Sequence, residues 1–91
     1  MSIKVNIFYP QLRQLISNPE SVTVEGSTVG ECLKDFVRQF PATEKGMFDE
    51  HGQLLRYVYV YINQESVDKT GLTAPVKDGD KLIIALSVIG G

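Results

Sequence analysis

One cysteine, one histidine and no surplus of basic residues are all that this 91-residue sequence offers to the commonest catalytic and nucleic-acid-binding chemistries. The single Cys32 excludes an internal disulfide and a cysteine-rich zinc site, and a lone thiol fits a reducing compartment. Nine Lys and Arg stand against eleven Asp and Glu, a formal charge of −2, so a phosphate backbone finds no basic stripe to bind. No apolar run is long enough to span a bilayer, and neither a signal-peptide pattern nor an Asn-X-Ser/Thr triplet occurs. The expectation is a cytoplasmic protein with no nucleic acid and no membrane among its partners. A Walker loop and a dinucleotide fingerprint are also missing, so any nucleotide would have to be handled by a partner.

The residues that remain do not assemble into an enzyme. His51 sits in a polar turn, Asp49-Glu50-His51-Gly52, with nothing to orient it, and reads as an exposed turn residue. Cys32 falls on the apolar face of a helix, where a thiol is a small core residue rather than a nucleophile. The acidic residues 49, 50, 78 and 80 suggest a cation site, yet Asp78-Gly79-Asp80 is explained as turn chemistry. No catalytic residue, no metal ligand and no bound cofactor are expected.

At this length one domain carries the whole function, and it buries roughly 65% of its unfolded surface without needing staples. Ile3, Val5 and Ile7 alternate with Lys4, Asn6 and Phe8, the period of a strand with one face in a core. Pro10 ends it, and a polar connection runs through Asn18-Pro19. Ser21 to Glu25 alternates again, with Val22 and Val24 inward, as a second, antiparallel strand. Thr28 and Glu31 form a capping box for a helix whose stripe is Val29, Cys32, Leu33, Phe36, Val37 and Phe40, stopped by Pro41. A polar loop follows to Gln53, with one helical turn around Glu44 to Phe48 tucked down by Met47 and Phe48.

Arg56 to Ile62 is the strongest β-segment by propensity, Asn63-Gln64 turns, and Glu65 to Val67 adds a short edge strand. Lys69 to Val76 is a packed loop around Leu72. Lys81 to Ser87 closes the set as a strand apolar on both faces, which places it at the centre of a sheet, beside the first strand and parallel to it. These elements predict an α+β protein of the β-grasp, or ubiquitin-like, architecture: a mixed four- to five-stranded sheet with one main helix packed across it. The domain spans residues 1–87, and residues 88–91 form a flexible diglycine tail.

That tail, Val88-Ile89-Gly90-Gly91, is the remaining candidate for chemistry. At a glycine usage of roughly 7%, two terminal glycines arise by chance in about 0.5% of chains. A terminal carboxyl with a pKa near 3.5 is ionised at neutral pH and a poor electrophile until something activates it. Glycines lacking side chains thread a narrow channel and let a nucleophile or a phosphorus atom approach the last carbonyl. Val88 and Ile89 then form the transition from anchored strand to tip.

The ending Asp-Gly-Asp, apolar strand and Gly-Gly, with an opening Ile-Lys-Val strand followed by Gln11-Leu12-Arg13-Gln14-Leu15, resembles the MoaD/ThiS family of ubiquitin-like sulfur carriers. The resemblance covers nearly the whole chain. It implies a carrier that is not itself an enzyme. A ubiquitin-activating-type partner would use ATP and magnesium to adenylate Gly91, and sulfur transfer would give a thiocarboxylate for a sulfur-accepting biosynthetic enzyme. Leu55 through Tyr61 to Asn63, with Glu65 and Val67, is similar to carriers that feed cysteine biosynthesis. Molybdopterin synthase small subunits tend to carry aromatic residues on the last strand, where this chain has Ile84, Ala85, Leu86 and Ser87. Molybdopterin and thiamine pathways remain alternatives.

Tyr57, Tyr59 and Tyr61 lie two apart and so share one face of a strand, opposite Val58, Val60 and Ile62. With Phe8 they form a candidate partner interface on the outer sheet face of a protein expected to be a monomer when free. Tyrosines that merely cover the sheet are the plain alternative. Two other functions stay open: a ubiquitin-like modifier joined to lysine through Gly91, and a simple interaction module whose tail is incidental.

Overall fold

The computed structural model describes residues 2–8, 10–16, 21–63, 65–67 and 71–86. Ser87 and the tail 88–91 lie outside the described residues. Five strands make one mixed sheet: β1 (Ser2–Phe8), β2 (Ser21–Glu25), β3 (Val58–Ile62), β4 (Glu65–Val67) and β5 (Lys81–Leu86), in the spatial order β2-β1-β5-β3-β4. β5 is central, as its two apolar sets require. It pairs parallel with β1, Val5 opposite Leu82 and Ile7 opposite Ile84, and antiparallel with β3, Val60 opposite Ile84. β2 and β4 are the antiparallel edges. This is the β-grasp arrangement expected from the pattern of elements.

The main helix, α2 (Val29–Gln39), begins where the sequence places it. Thr28 Oγ1 accepts the Glu31 N–H at 3.1 Å, satisfying one free donor of the first turn. The expected reciprocal arm is displaced by one residue: Glu31 Oε1 accepts the N–H and hydroxyl of Ser27 at 2.9 and 2.8 Å. Val29, Cys32, Leu33 and Phe36 of α2 meet Ile3, Val5, Ile7, Val22, Val24, Val58, Val60, Leu82 and Ile84 of the sheet in one core. Val22 and Val24 are inward, and Cys32 is a buried core residue, as expected.

Two connections differ from expectation. The polar connection after β1 opens with a helix, α1 (Pro10–Leu15), and Leu12 and Ile16 are both buried. Pro10 at its first position has the φ and the missing N–H that a helix start accepts, and Leu12 and Ile16 stand four apart on one face. β3 begins at Val58 rather than Arg56, because the Val58 N–H turns back to the Leu55 carbonyl at 3.0 Å and folds Arg56 and Tyr57 into a turn. The helical turn expected near Glu44 to Phe48 is α3 (Glu44–Met47), with Met47 fully buried and Phe48 packed against the core.

The loop before β5 is fastened to the start of α2: the Val29 N–H donates to the Ala74 carbonyl and the Val76 N–H to Ser27, both at 3.0 Å. At the β2 edge, two outward backbone groups are taken by α2 side chains. Asp35 Oδ2 accepts the Glu25 N–H at 2.9 Å, and Gln39 Nε2 donates to the Thr23 carbonyl at 3.0 Å.

Candidate functional site

The mount of the tail is β5, and the turn that launches it is a junction of hydrogen bonds. Asp80 accepts the Lys77 N–H at 2.8 Å and the Asn63 amide at 3.0 Å, while Asn63 Oδ1 accepts the Lys81 N–H at 3.0 Å. Asp78 accepts the Ser2 N–H at 2.7 Å, and the Asp80 carbonyl accepts the Lys4 N–H. Gly79 takes φ 89° and Asn63 φ 47°, left-handed values that favour these two residue types. The turn thus ties the starts of β1 and β5 and the end of β3 into one rigid corner. The Lys77 N–H and the Asn63 amide hold the Asp80 carboxyl below the usual carboxylate range.

From that corner β5 runs to Leu86, and its neighbours define the surface there. The outer residues of the sheet alternate with the buried ones, and none of Lys4, Asn6, Phe8, Tyr59, Tyr61, Lys81, Ile83 and Ala85 is buried. Register puts Phe8 and Tyr59 on either side of Ala85, and Asn6 and Tyr61 on either side of Ile83. Phe8, Tyr57 and Tyr59 are the exposed large hydrophobic residues among those described, at 63%, 44% and 41%. Val58 pairs with Leu86, so Tyr57 in the preceding turn stands next to the last described residue of β5. Phe8, Tyr57 and Tyr59 therefore lie toward the Leu86 end of β5, Tyr57 by a turn and not by strand alternation, while Tyr61 sits beside Ile83 in the first half of the strand.

Cys32 and His51 supply no reactive group to this end of the molecule. Burial, aided by the neighbouring Glu31 charge, pushes the Cys32 thiol from its ordinary 9.0 up to about 11. At neutral pH about one part in ten thousand is thiolate. His51 is exposed in its turn, with Nε2 3.7 Å from Glu50, while Asp49 accepts the backbone N–H groups of His51 and Gln53. Among the described residues no cluster of three or more His, Cys, Asp or Glu has the arrangement of a metal site. No described helix is long and apolar enough to cross a membrane. Gly90 and Gly91, with Val88 and Ile89, fall outside the described residues, so the structure contributes the mount and its surroundings.

The sequence and fold match known proteins along nearly their whole length. The ThiS family model matches residues 7–91. The sulfur carrier protein CysO of Mycobacterium tuberculosis is 31% identical over 83 residues, 88% of this chain and 89% of its own. A chain of the Amycolatopsis orientalis BexX/CysO complex is 34% identical with a TM-score of 0.83, covering 98% of this chain and 99% of its own. SAMP1 from Haloferax volcanii superposes with a TM-score of 0.86 at 28% identity over all of both chains.

Proposed function

Because the chain belongs to the ThiS family of ubiquitin-like sulfur carriers, we propose that Gly91 is its reacting residue and that the sulfur it carries goes to amino-acid, most directly cysteine, biosynthesis. A ubiquitin-activating-type enzyme adenylates the Gly91 carboxylate: one carboxylate oxygen bonds to the α-phosphorus of ATP, and pyrophosphate leaves with magnesium. The acyl-adenylate is the electrophile that a bare carboxylate is not. Attack by hydrosulfide on the Gly91 carbonyl forms a C–S bond as the C–O bond to AMP breaks, and loss of the sulfur-bound proton leaves the thiocarboxylate that passes to an acceptor enzyme. ATP and magnesium are substrates of the partner, and the carrier itself is a co-substrate rather than a catalyst.

The observation that carries this reading is the placement of β5. The strand that leads to the diglycine is the central one, tied at its start by Asp78 and Asp80 and flanked at its end by exposed aromatic residues. A partner gains a fixed surface to grip while Gly90 and Gly91 enter its active centre. Phe8, Tyr57, Tyr59 and Tyr61 form that grip. The cysteine branch is supported by the likeness to CysO over most of both chains.

The test is intact mass spectrometry of the full chain incubated with its adenylating partner, ATP, magnesium and a sulfur source. The expected result is replacement of one oxygen by sulfur at Gly91. A chain lacking Gly90 and Gly91 should melt like the full protein and gain no sulfur. Absence of both adenylate and thiocarboxylate on the full chain overturns the proposal. The superposition on SAMP1, whose name is small archaeal modifier protein, favours a second role as a protein modifier. That role predicts lysine-linked adducts in cells that survive thiol treatment.

A further inference from the structure

Edge strand β2 turns half of its main-chain groups away from β1. The bonds of the Thr23 carbonyl to Gln39 and of the Glu25 N–H to Asp35 identify that half, and alternation along the strand adds the Ser21 carbonyl and the Thr23 N–H to it. In a parallel pair of strands, one residue donates its N–H to the carbonyl of residue i on its neighbour and accepts the N–H of residue i+2. Gln39 Nε2 donates to Thr23, Asp35 Oδ2 accepts from Glu25, and the two side chains are bonded to each other at 3.0 Å. Together they occupy the place of one residue of a sixth, parallel strand. The residue two positions earlier in such a strand would bond the Ser21 carbonyl and the Thr23 N–H, and no side chain of the described residues takes those groups. The edge is closed at one rung and open at the next.

The helix beside the edge sets what it accepts. Residues of an added strand that bond β2 lie alongside Val22 and Val24 and share their face, the α2 side of the sheet. Lys34 and Arg38 stand one helical turn apart on α2, exposed, next to Asp35 and Gln39. The neighbouring carboxylates are engaged: Glu31 by Ser27, and Asp35 by the Glu25 N–H, Gln39 and Arg38. Lys34 has no ion pair among the described residues, and the ion pair of Arg38 is with Asp35, the side chain that must move aside. We propose that the β2 edge is a strand-addition site for an extended acidic segment of another protein, running parallel to β2. Its main chain takes the open rung at Ser21 and Thr23, then displaces Asp35 and Gln39 from the closed one, and a carboxylate on the displacing residue faces Lys34 and Arg38. A second copy offering its own β2 about a twofold axis runs antiparallel and does not match this bond pattern. β2 lies two strands from β5, so the bound segment leaves the tail-bearing strand uncovered. The site does not depend on the chemistry of Gly91.

Nuclear magnetic resonance of the isotopically labelled full chain, titrated with the end-capped peptide Thr-Val-Thr-Glu-Thr-Val-Thr, tests the site. The expected result is a set of amide shifts centred on Thr23 and Glu25, with hydrogen exchange slowed at the Thr23 N–H. Gln39→Ala, which keeps the core intact, should tighten binding about fivefold, because the native side chains compete with the peptide for the same groups. Lys34→Glu with Arg38→Glu should weaken binding about tenfold at low salt and less at high salt. Methylating the main-chain nitrogen of the peptide Glu, which removes the donor to Thr23, should weaken it about tenfold in every variant. A spin label on the peptide N-terminus should broaden Ser21 more than Glu25. Absence of shifts at Thr23 and Glu25 in both the native chain and Gln39→Ala overturns the site. Equal binding of a peptide with Lys in place of Glu overturns the acidic partner, and broadening stronger at Glu25 than at Ser21 overturns the parallel direction. The same shifts appearing with protein concentration alone, without peptide, assign the edge to a second copy and overturn the proposal.

Discussion

Asp80 does more than turn the chain. Its carboxylate is shared between the Lys77 N–H and the Asn63 amide, and those bonds favour its ionised form. A folded-state pKa below the unfolded value contributes stability that is present above the unfolded value, near 3.9, and is lost as pH falls through the folded one. Asp80→Asn should therefore lower the melting temperature at pH 7. The gap between native and variant melting temperatures should shrink as the pH drops below about 4. A gap that persists unchanged at pH 2 would show that the carboxylate charge contributes nothing. Glu31, Asp35 and Asp49 are shifted the same way, each by a backbone N–H first, so they add to the acid sensitivity of the whole chain. Asp78-Gly79-Asp80 was readable as a turn because Gly and Asp announce one; the partnership with Asn63, 17 residues away, was not, because nothing local in the sequence links the two.

Helix α2 both supplies the core stripe and closes an edge. By taking the Glu25 N–H and the Thr23 carbonyl, Asp35 and Gln39 occupy backbone groups that a strand from another molecule would otherwise use. Replacing both with alanine should open β2 and produce concentration-dependent association, measurable by sedimentation; a variant that stays monomeric at every concentration refutes the guard. The elements with strong periodicity, β1, β2, α2 and β5, were legible because alternation or helical spacing repeats over several residues. α1 was not: its six residues carry Leu12 alone of the buried pair, with Ile16 just beyond, so polar neighbours hid the face. The start of β3 was misplaced because propensity favours Arg56 and Tyr57 as strand, while the Leu55 to Val58 turn overrides it. Alternation alone puts Tyr59 and Tyr61 on one face of β3, but their placement with Phe8 and Asn6 around Ala85 and Ile83 needed the register between strands distant in sequence.

For the whole molecule, the parallel pairing of β1 with β5 joins the beginning of the chain to the end of the described fold. β5 also pairs with β3, so without Lys81–Leu86 the sheet falls into a β1–β2 pair and a β3–β4 pair with no strand between them. Leu82 and Ile84, both fully buried, leave with it. A fragment ending at residue 80 should show no cooperative thermal transition by circular dichroism, since two-stranded pieces are marginal alone. A fragment that melts cooperatively would refute this dependence. Synthesis on the ribosome gives the pairing a further meaning. β1 and β3 are both made before the strand that must lie between them, so each waits with one side of its ladder open until Lys81–Leu86 arrives. The sheet closes in a single late event, and a chain still short of that strand holds two outer pairs with nothing to join them.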